Sequence, residues 1–456
     1  MAVSISRQIA FEVLRRVEAE GAYASDLLHG ELGANVKTAD AALATELTMG
    51  VLRWRRLLDF LLERHLKKPV ERLDLPVTLA LRMGAYQLRF LKKIPPRAAV
   101  HESVEIVKRA RKASAAALVN AVLRRIADEA SSPAERLLPL EIDPAERLGI
   151  LHSHPAWMVE RWLARLGEAQ TIALLEANNQ TPRLSCALND ADRRDEIVAE
   201  LEKAGLKVES GVLLKTALFA SGGSVARTQA FRGGRISIQD EASQAVPLLL
   251  GVCEGDRVLD LCAAPGGKTP TLVRAAGSTG VVIAADRHFH RVRAMQAQFK
   301  RLGLPSVHLV VLDAAQPLPF RNQFDRILVD APCSGTGTLA RHPEIRWRLR
   351  AEQLADFHQL QRGLLQTAIA QLAPGGRIVY STCSFEPEEN EEVVAEVLES
   401  AAGIRRAPAS ELAQALQPHL APAVNVESLF ANDGYFRTSP PIQHTDGFFA
   451  AILQGI

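Results

Sequence analysis

The chain is poor in cysteine, with five among 456 residues (Cys186, Cys253, Cys262, Cys333 and Cys383). They are too few and too scattered for a disulfide framework, and the lack of any C-x-x-C pair argues against structural zinc, so no metal is expected. Free thiols imply a reducing compartment, and the expected location is the cytoplasm. Long apolar runs are missing too. Nothing approaches the roughly 20 apolar residues that span a bilayer, and no membrane partner is expected. The opening MAVSISRQIAFEVLRRVEAEGAYA has no apolar run followed by a small-residue cleavage site. Its Arg-containing amphipathic pattern runs on into a regular helical region, unlike a transit peptide. Internal repeats and low-complexity segments are absent.

Net charge is also small, at +2, and predicts no polyanion partner by itself. The average hides an asymmetry. Residues 1–130 carry 22 Lys and Arg against 15 Asp and Glu, whereas the remainder carries 32 against 37. A basic front end suggests a nucleic-acid-facing module, although a solvated helical surface has the same composition.

The length allows two or three domains, each with its own core. Residues 1–130 are helical in pattern. Ile9, Val13, Leu14 and Val17 recur at helical spacing, as do Leu79, Met83, Tyr86, Leu88 and Leu91, with Pro95-Pro96 as a stop. This predicts an all-α bundle with basic residues on its outer faces. The Pro-rich SSPAERLLPLEIDP (131–144) suits a linker. Residues 140–235 mix helical stretches with strand-like RLSCALN and GVLLKTALF, which predicts a small α/β connecting domain. Residues 236–456 alternate apolar strands (RVLDLCA, VVIAADR, VHLVVLDAA, FDRILVDAP, GRIVYSTCS) with helices. Continuous apolar strands separated by helices mean a parallel sheet covered on both faces. The final GYFRTSPPIQHTDGFFAAIL reads as a closing hairpin.

In an open α/β sheet, ligands bind beyond the carboxyl ends of the strands. The first strand runs into DLCAAPGGKT (260–269), where Gly266 and Gly267 allow close backbone approach and a helix follows. The second strand ends at Asp286, placed to accept ribose hydroxyls, and the third at Asp313, placed to meet an adenine edge. The turn is neither the G-x-G-x-x-G loop that seats a dinucleotide pyrophosphate nor a Walker loop. S-adenosylmethionine, which has no phosphate, fits better. A strand-end Asp is often only a helix cap, but three in register (Asp286, Asp313 and, on the fourth strand, Asp330) with a glycine turn outweigh that reading.

The fourth strand ends in DAPCSGTG and the fifth in STCS, so Cys333 and Cys383 should face one crevice. Buried filler is the ordinary fate of a cysteine, and it is the reading adopted for the thiols of Cys186, Cys253 and Cys262. Two thiols at the ligand end of one sheet suit a different role. Carbon 5 of cytosine is too weak a nucleophile to take a methyl group directly. A thiolate added at carbon 6 makes carbon 5 enamine-like and able to attack a sulfonium methyl. A base must then remove the carbon 5 proton so that the thiolate can leave. Asp330 is a candidate for contacting N3 or for holding the cofactor's amino end. Nearby Lys268 would raise the thiolate fraction. The residues alone do not rank the two thiols.

DLCAAPGGKT, DAPCSGTG with RHPEIRW (341–347), YSTCSFEPEENEEVV, ISIQDEASQAV and TDGFFAAIL together resemble the RNA 5-methylcytosine methyltransferases. ELTMGVLRWRRLLDFLL, LRMGAYQLRFL, AAVHESVEIVKRA and LVNAVLRRI resemble the NusB-type RNA-binding fold. The resemblance covers nearly the whole chain. It implies three parts: a NusB-like bundle (1–130), a small α/β connector (140–235) and a class I, Rossmann-like methyltransferase domain (236–456). It implies that Cys383 attacks and that Cys333 assists release. It also implies that Cys262, Ala263, Ala264, Pro265, Gly266, Gly267 and Lys268, with Asp286, Asp313 and Asp330, bind S-adenosylmethionine. The implied substrate is 16S ribosomal RNA, free or in a partly assembled small subunit, and a monomer is expected. The same chemistry on transfer RNA, or a non-catalytic RNA-binding assembly factor, are the alternatives.

Overall fold

A computed structural model describes residues 3–32, 36–139, 141–430 and 433–456. The first two residues of the expected N-terminal domain, its residues 33–35 and Leu140 of the expected linker lie outside these. The chain forms two compact units, Met1–Thr181 with Leu339–Ala351, and Pro182–Thr338 with Glu352–Ile456.

The first unit is helical. Ile9, Val13, Leu14 and Val17 line the buried face of helix Ile5–Glu20, which ends at Gly21 in a left-handed conformation. Pro95 ends the connection after helix Leu75–Phe90, and Pro96 starts helix Pro96–Arg109, where its missing donor costs little. Lys67, Lys68, Lys92, Lys93, Lys108, Arg124 and Arg125 are exposed, as expected of a basic outer face. Part of the positive charge is internal, however. Arg7, Arg53 and Arg82 are buried, and Arg82 makes paired bonds of 2.7 and 2.8 Å to Asp59. Helices Pro144–Leu151, Ala156–Leu166 and Glu168–Asn179, from the expected connector, cluster with this unit.

Leu339–Ala351 is threaded into the same unit. Arg346 is fully buried, and its guanidinium donates to the carbonyls of Arg53 (3.2 Å), Ser153 (3.0 Å) and Asn178 (2.7 Å) and to Asn179 Oδ1 (2.8 Å). Trp347 donates to the Leu52 carbonyl at 2.7 Å, and Glu344 accepts the Ala24 N–H at 2.9 Å. One cation thus satisfies backbone groups at the ends of three helices that are remote in sequence.

The second unit holds two sheets. The smaller contains β1 (Leu184–Leu188), β2 (Lys207–Ser210), β3 (Ala217–Ser221) and β4 (Ile236–Ile238) in the antiparallel order β2-β3-β1-β4. β4 lies in the ISIQDEASQAV segment, expected at the start of the methyltransferase region. It forms the edge of the small sheet because it pairs with β1 from Cys186↔Ile238 to Leu188↔Ile236.

The larger sheet is built from β5 (Arg257–Asp260), β6 (Val281–Asp286), β7 (Val307–Val311), β8 (Phe324–Asp330), β9 (Leu372–Thr382), β10 (Ile404–Arg406), β11 (Phe436–Thr438) and β12 (Phe448–Gly455). Its order is β10-β12-β9-β8-β5-β6-β7, with β11 on β12. The five strands β5 to β9 are mutually parallel, as their apolar runs predict. Leu328 and Val379 pack in one core, while Ile327, Val329, Ile378 and Tyr380 pack in the other, so both faces are covered. The PGG turn before GRIVYSTCS lies inside β9 as an irregularity, since Phe324 pairs with Leu372 but Arg326 pairs with Arg377. The C-terminal hairpin of β11 and β12 is present, and β12 also closes antiparallel on β9.

Replacing Arg346 with Met would leave three buried carbonyls, each worth about 1–3 kcal/mol, and the half-buried Asn179 amide oxygen without their donor. Arg346→Met should therefore lower the denaturant midpoint of the helical unit, whereas Arg125→Met, at an exposed position, should change it little. Tryptophan fluorescence during urea unfolding measures both.

Candidate active site

Chain order reverses at β5, whose neighbours are β6 and β8, and the crevice beyond their carboxyl ends is the place for a ligand. There β5 opens into the glycine turn. The Gly266 N–H donates to the Ala263 carbonyl at 2.7 Å, and Gly266 has φ +91°. A Cβ on Gly266 would lie 3.0 Å from the Phe299 ring, so backbone conformation and space both select glycine. Thr269 and Pro270 then start helix Thr269–Ala276.

A cavity of about 140 Å³ sits at this turn, walled by Cys262–Pro265, Gly267 and Lys268 together with Asp260 and Asp330. Lys268 Nζ bonds Asp330 Oδ2 at 2.6 Å and lies 5.1 Å from the centre of the Phe448 ring. Asp330 Oδ1 accepts Ser381 Oγ at 2.8 Å, joining the ends of β8 and β9. Asp286 ends β6, whereas Asp313 lies two residues past the end of β7 at Val311, and neither lines this cavity. Each accepts a backbone N–H two residues on, from His288 at 2.9 Å and Ala315 at 3.1 Å, the capping role open to any strand-end Asp. All four carboxylates nevertheless bear on Cys262. Burial first, then Asp260, Asp330, Asp286 and Asp313, push its thiol above the ordinary range.

Asp260 was not singled out by the sequence. It is buried, with Oδ2 accepting Thr269 Oγ1 at 2.7 Å and Oδ1 without a hydrogen-bond partner. Burial, with Asp330 nearby, raises its carboxyl to about 7, although the Thr269 bond opposes the shift. A single polar residue at the end of the apolar RVLDL was the available signal.

Cys333 and Cys383 come together as expected. Their sulfurs are 3.2 Å apart, and both side chains are half-buried. The hydrogen bond to Cys383, followed by burial, holds the Cys333 thiol well above its usual value. Cys186 is buried and is pushed up to about 12 by desolvation, which suits the filler role; Cys253 is exposed.

Beneath the thiols lies a second acid that the sequence did not single out. Glu389, fully buried, accepts the Ser334 N–H at 2.7 Å, the hydroxyls of Ser334 and Ser384, and Gln361 Nε2 at 3.0 Å. Burial raises its carboxyl despite these donors. Nothing in EPEENEE marks it out from the neighbouring acids.

Residues 247–454 match the family described as 16S rRNA methyltransferase RsmB/F, residues 4–128 match the NusB family, and residues 154–223 match the ferredoxin-like domain of RsmF/B-like methyltransferases. The probable ribosomal RNA small subunit methyltransferase B of Bacillus subtilis is 35% identical, over 98% of each chain. The chain belongs to this family. Ribosomal RNA small subunit methyltransferase B of Klebsiella pneumoniae is 33% identical over 94% of this chain and 96% of its own. Among solved structures, PH0851 superposes with a TM-score of 0.81 at 25% identity over 99% of each chain. A methyltransferase homologue from Pyrococcus horikoshii gives 0.57 at 28% identity, over 69% of this chain and all of its own. The fold is thus a NusB-like helical domain, a ferredoxin-like connector and a methyltransferase domain, and the chain is a methyltransferase of the RsmB/F family.

The folded value of Asp260, about 7, lies above its ordinary 3.8. The proton therefore favours the fold: this contribution is complete below the ordinary value and is lost as pH rises through about 7. Asp260→Asn keeps an acceptor for Thr269 and cannot ionise. Its thermal midpoint without ligand should exceed the parent's by several degrees at pH 8 and converge with it toward pH 4. A constant difference across that range would show that the carboxyl does not titrate as described.

Proposed function

We propose that the protein transfers a methyl group from S-adenosylmethionine to carbon 5 of a cytosine in small-subunit ribosomal RNA, with Cys383 as the covalent nucleophile. The observation that carries this reading is the 3.2 Å thiol pair at the ends of β8 and β9, beside a glycine-turn cavity rich in carboxylates. Relatives at 33–35% identity are named for methylation of small-subunit ribosomal RNA.

The donor set suits a cationic, phosphate-free cofactor. Asp260 has a buried oxygen without a partner, and Asp330 shares the cavity wall, so the two would hold an amino group. Asp286 and Asp313, at the next strand ends, would meet the ribose and the adenine. When bound, S-adenosylmethionine supplies an electrophilic methyl group. Asp330 is already bonded to Lys268 and Ser381, which favours the cofactor side over contact with N3.

The thiol pair suggests a division of labour. The two sulfurs share a hydrogen bond, and Cys333 keeps its proton because that bond and burial hold its thiol well above the usual value. Cys383 sulfur adds to carbon 6 of the cytosine, and the electron pair displaced to carbon 5 takes the methyl group. Once Cys383 sulfur is bonded to carbon, it no longer holds the Cys333 proton in place. Cys333, only half-buried, can then release that proton to bulk water and accept the one at carbon 5, and the carbon–sulfur bond breaks to return the Cys383 thiolate. The target base must leave its stack to expose carbons 5 and 6. The exposed Lys and Arg residues of the helical unit suit phosphate contacts, whose strength falls as salt rises.

RNA carrying 5-fluorocytosine at the target should form a stable covalent adduct with the wild-type protein, because fluorine blocks the final elimination. Cys383→Ala should lose both adduct and turnover. Cys333→Ala should accumulate adduct on ordinary RNA, seen as a band shift on denaturing gels. Near wild-type methylation by Cys383→Ala would sink the assignment.

A further inference from the structure

Burying a carboxylate is expensive, and an apolar residue of similar size would fill the place of Glu389 at lower cost. The compensation is local. The donors to the Glu389 carboxylate come from the two cysteine loops and from the helix behind them. Ser334 and Ser384 each immediately follow one of the cysteines, and their hydroxyls also lie 3.0 Å apart. Gln361, on helix Gln353–Ala370, donates both to Glu389 and, at 2.9 Å, to the Pro332 carbonyl just before Cys333. Cys333 is therefore held from both sides. The same is true of Cys383, because Thr382 Oγ1 donates to Asn390 Oδ1 at 2.5 Å and Asn390 Nδ2 donates to the Ser384 carbonyl at 2.9 Å. Glu389 is itself anchored from the sheet, where the Tyr380 hydroxyl donates to its carbonyl at 2.5 Å.

We infer that Glu389 is a positioning residue whose carboxylate grips the residue after each cysteine and so fixes the separation of the two thiols. Its kinetic consequence rests on the proposed cytosine chemistry, in which one sulfur must stay covalently engaged while the other reaches the proton at carbon 5. The geometric claim concerns the protein alone. The carboxylate hydrogen bonds of Glu389 go to the residues beside the cysteines and to Gln361, and its charge only adds to what raises the Cys333 thiol, so it positions the thiols and is no catalytic residue. Its importance lies in acceptor geometry rather than charge: a glutamine could point its oxygen at the Ser334 N–H and Gln361 and donate its amide hydrogens to the two serine hydroxyls, which are able to accept.

The separation can be read by oxidising the free full-length protein with diamide. Diamide takes two electrons and two protons from the thiols as the Cys333–Cys383 disulfide forms, and the product is followed by peptide mass spectrometry. Glu389→Leu should slow this crosslink about tenfold or more, with Glu389→Gln staying within about threefold of the parent. Calorimetry should show S-adenosylmethionine affinity unchanged in both. With RNA, Glu389→Leu should lower kcat and leave KM in place. Ser384→Ala removes one grip while leaving the buried carboxylate its donors from Ser334 and Gln361, and it should slow the crosslink by an intermediate factor, which keeps the test open if the Leu variant does not fold. A crosslink rate unaffected by Leu or by Ser384→Ala overturns the inference, as does an equal fall in the Leu and Gln variants. A protein that crosslinks as described but leaves RNA unmethylated would remove the proposed reaction and leave the positioning role standing.

Discussion

The parallel pairing of β8 with β9 is the constraint on which the site depends. Its register sets Val329 against Tyr380 and Asp330 against Ser381, and the Ala331 N–H continues it by donating to the Ser381 carbonyl at 2.8 Å. From that fixed end each strand needs only two or three more residues to deliver a cysteine. A slip of one residue would exchange the faces of β9, sending Tyr380 out of its core and Cys383 away from its partner. Glycine backbones hold the loop beyond. The Gly337 N–H donates to the Cys383 carbonyl at 2.8 Å, and a Cβ on Gly337 would lie 2.1 Å from the Gly447 carbonyl. The small residues of SGTG and TDGF thus serve contact between main chains rather than looseness.

Charge is distributed unevenly across the same face. The glycine-turn cavity sets Asp260 and Asp330 around Lys268, whereas the residues after the two cysteines donate to an acid already rich in donors. A pyrophosphate would meet repulsion from Asp260, Asp286, Asp313 and Asp330. A cationic ligand would relieve that repulsion and give the orphaned Asp260 oxygen a partner. The cavity and the thiol pair are mechanically joined through Asp330, which reaches Lys268 on one side and Ser381, two residues before Cys383, on the other.

What could be read beforehand was what depends on local pattern. The parallel strands were legible because apolar runs of strand length alternate with helices, and the thiol pair because both cysteines end such runs. Features decided by partners distant in sequence were hidden. β4 looked like a lead-in to the methyltransferase until β1 claimed it. The glycines of PGG looked like a turn, yet β9 absorbs them as an irregularity beside Phe324. Arg346 and Glu389 were not singled out, since nothing in RHPEIRW or EPEENEE reveals that each meets its hydrogen-bonding partners from other segments. Asp260 was passed over because the residues after it carry the recognisable turn.

The route of the chain through the helical unit has a consequence for how such proteins can be taken apart. Leu339–Ala351 leaves the methyltransferase sequence shortly after Cys333, packs among helices from the first part of the chain, and returns at Glu352. A gene fragment beginning at residue 182 would therefore carry an orphaned insert with Arg346 and Trp347 stripped of their acceptors. Swapping RNA-recognition modules between homologues by a single crossover would mismatch that insert with its new host, so a working chimera needs three junctions instead of one.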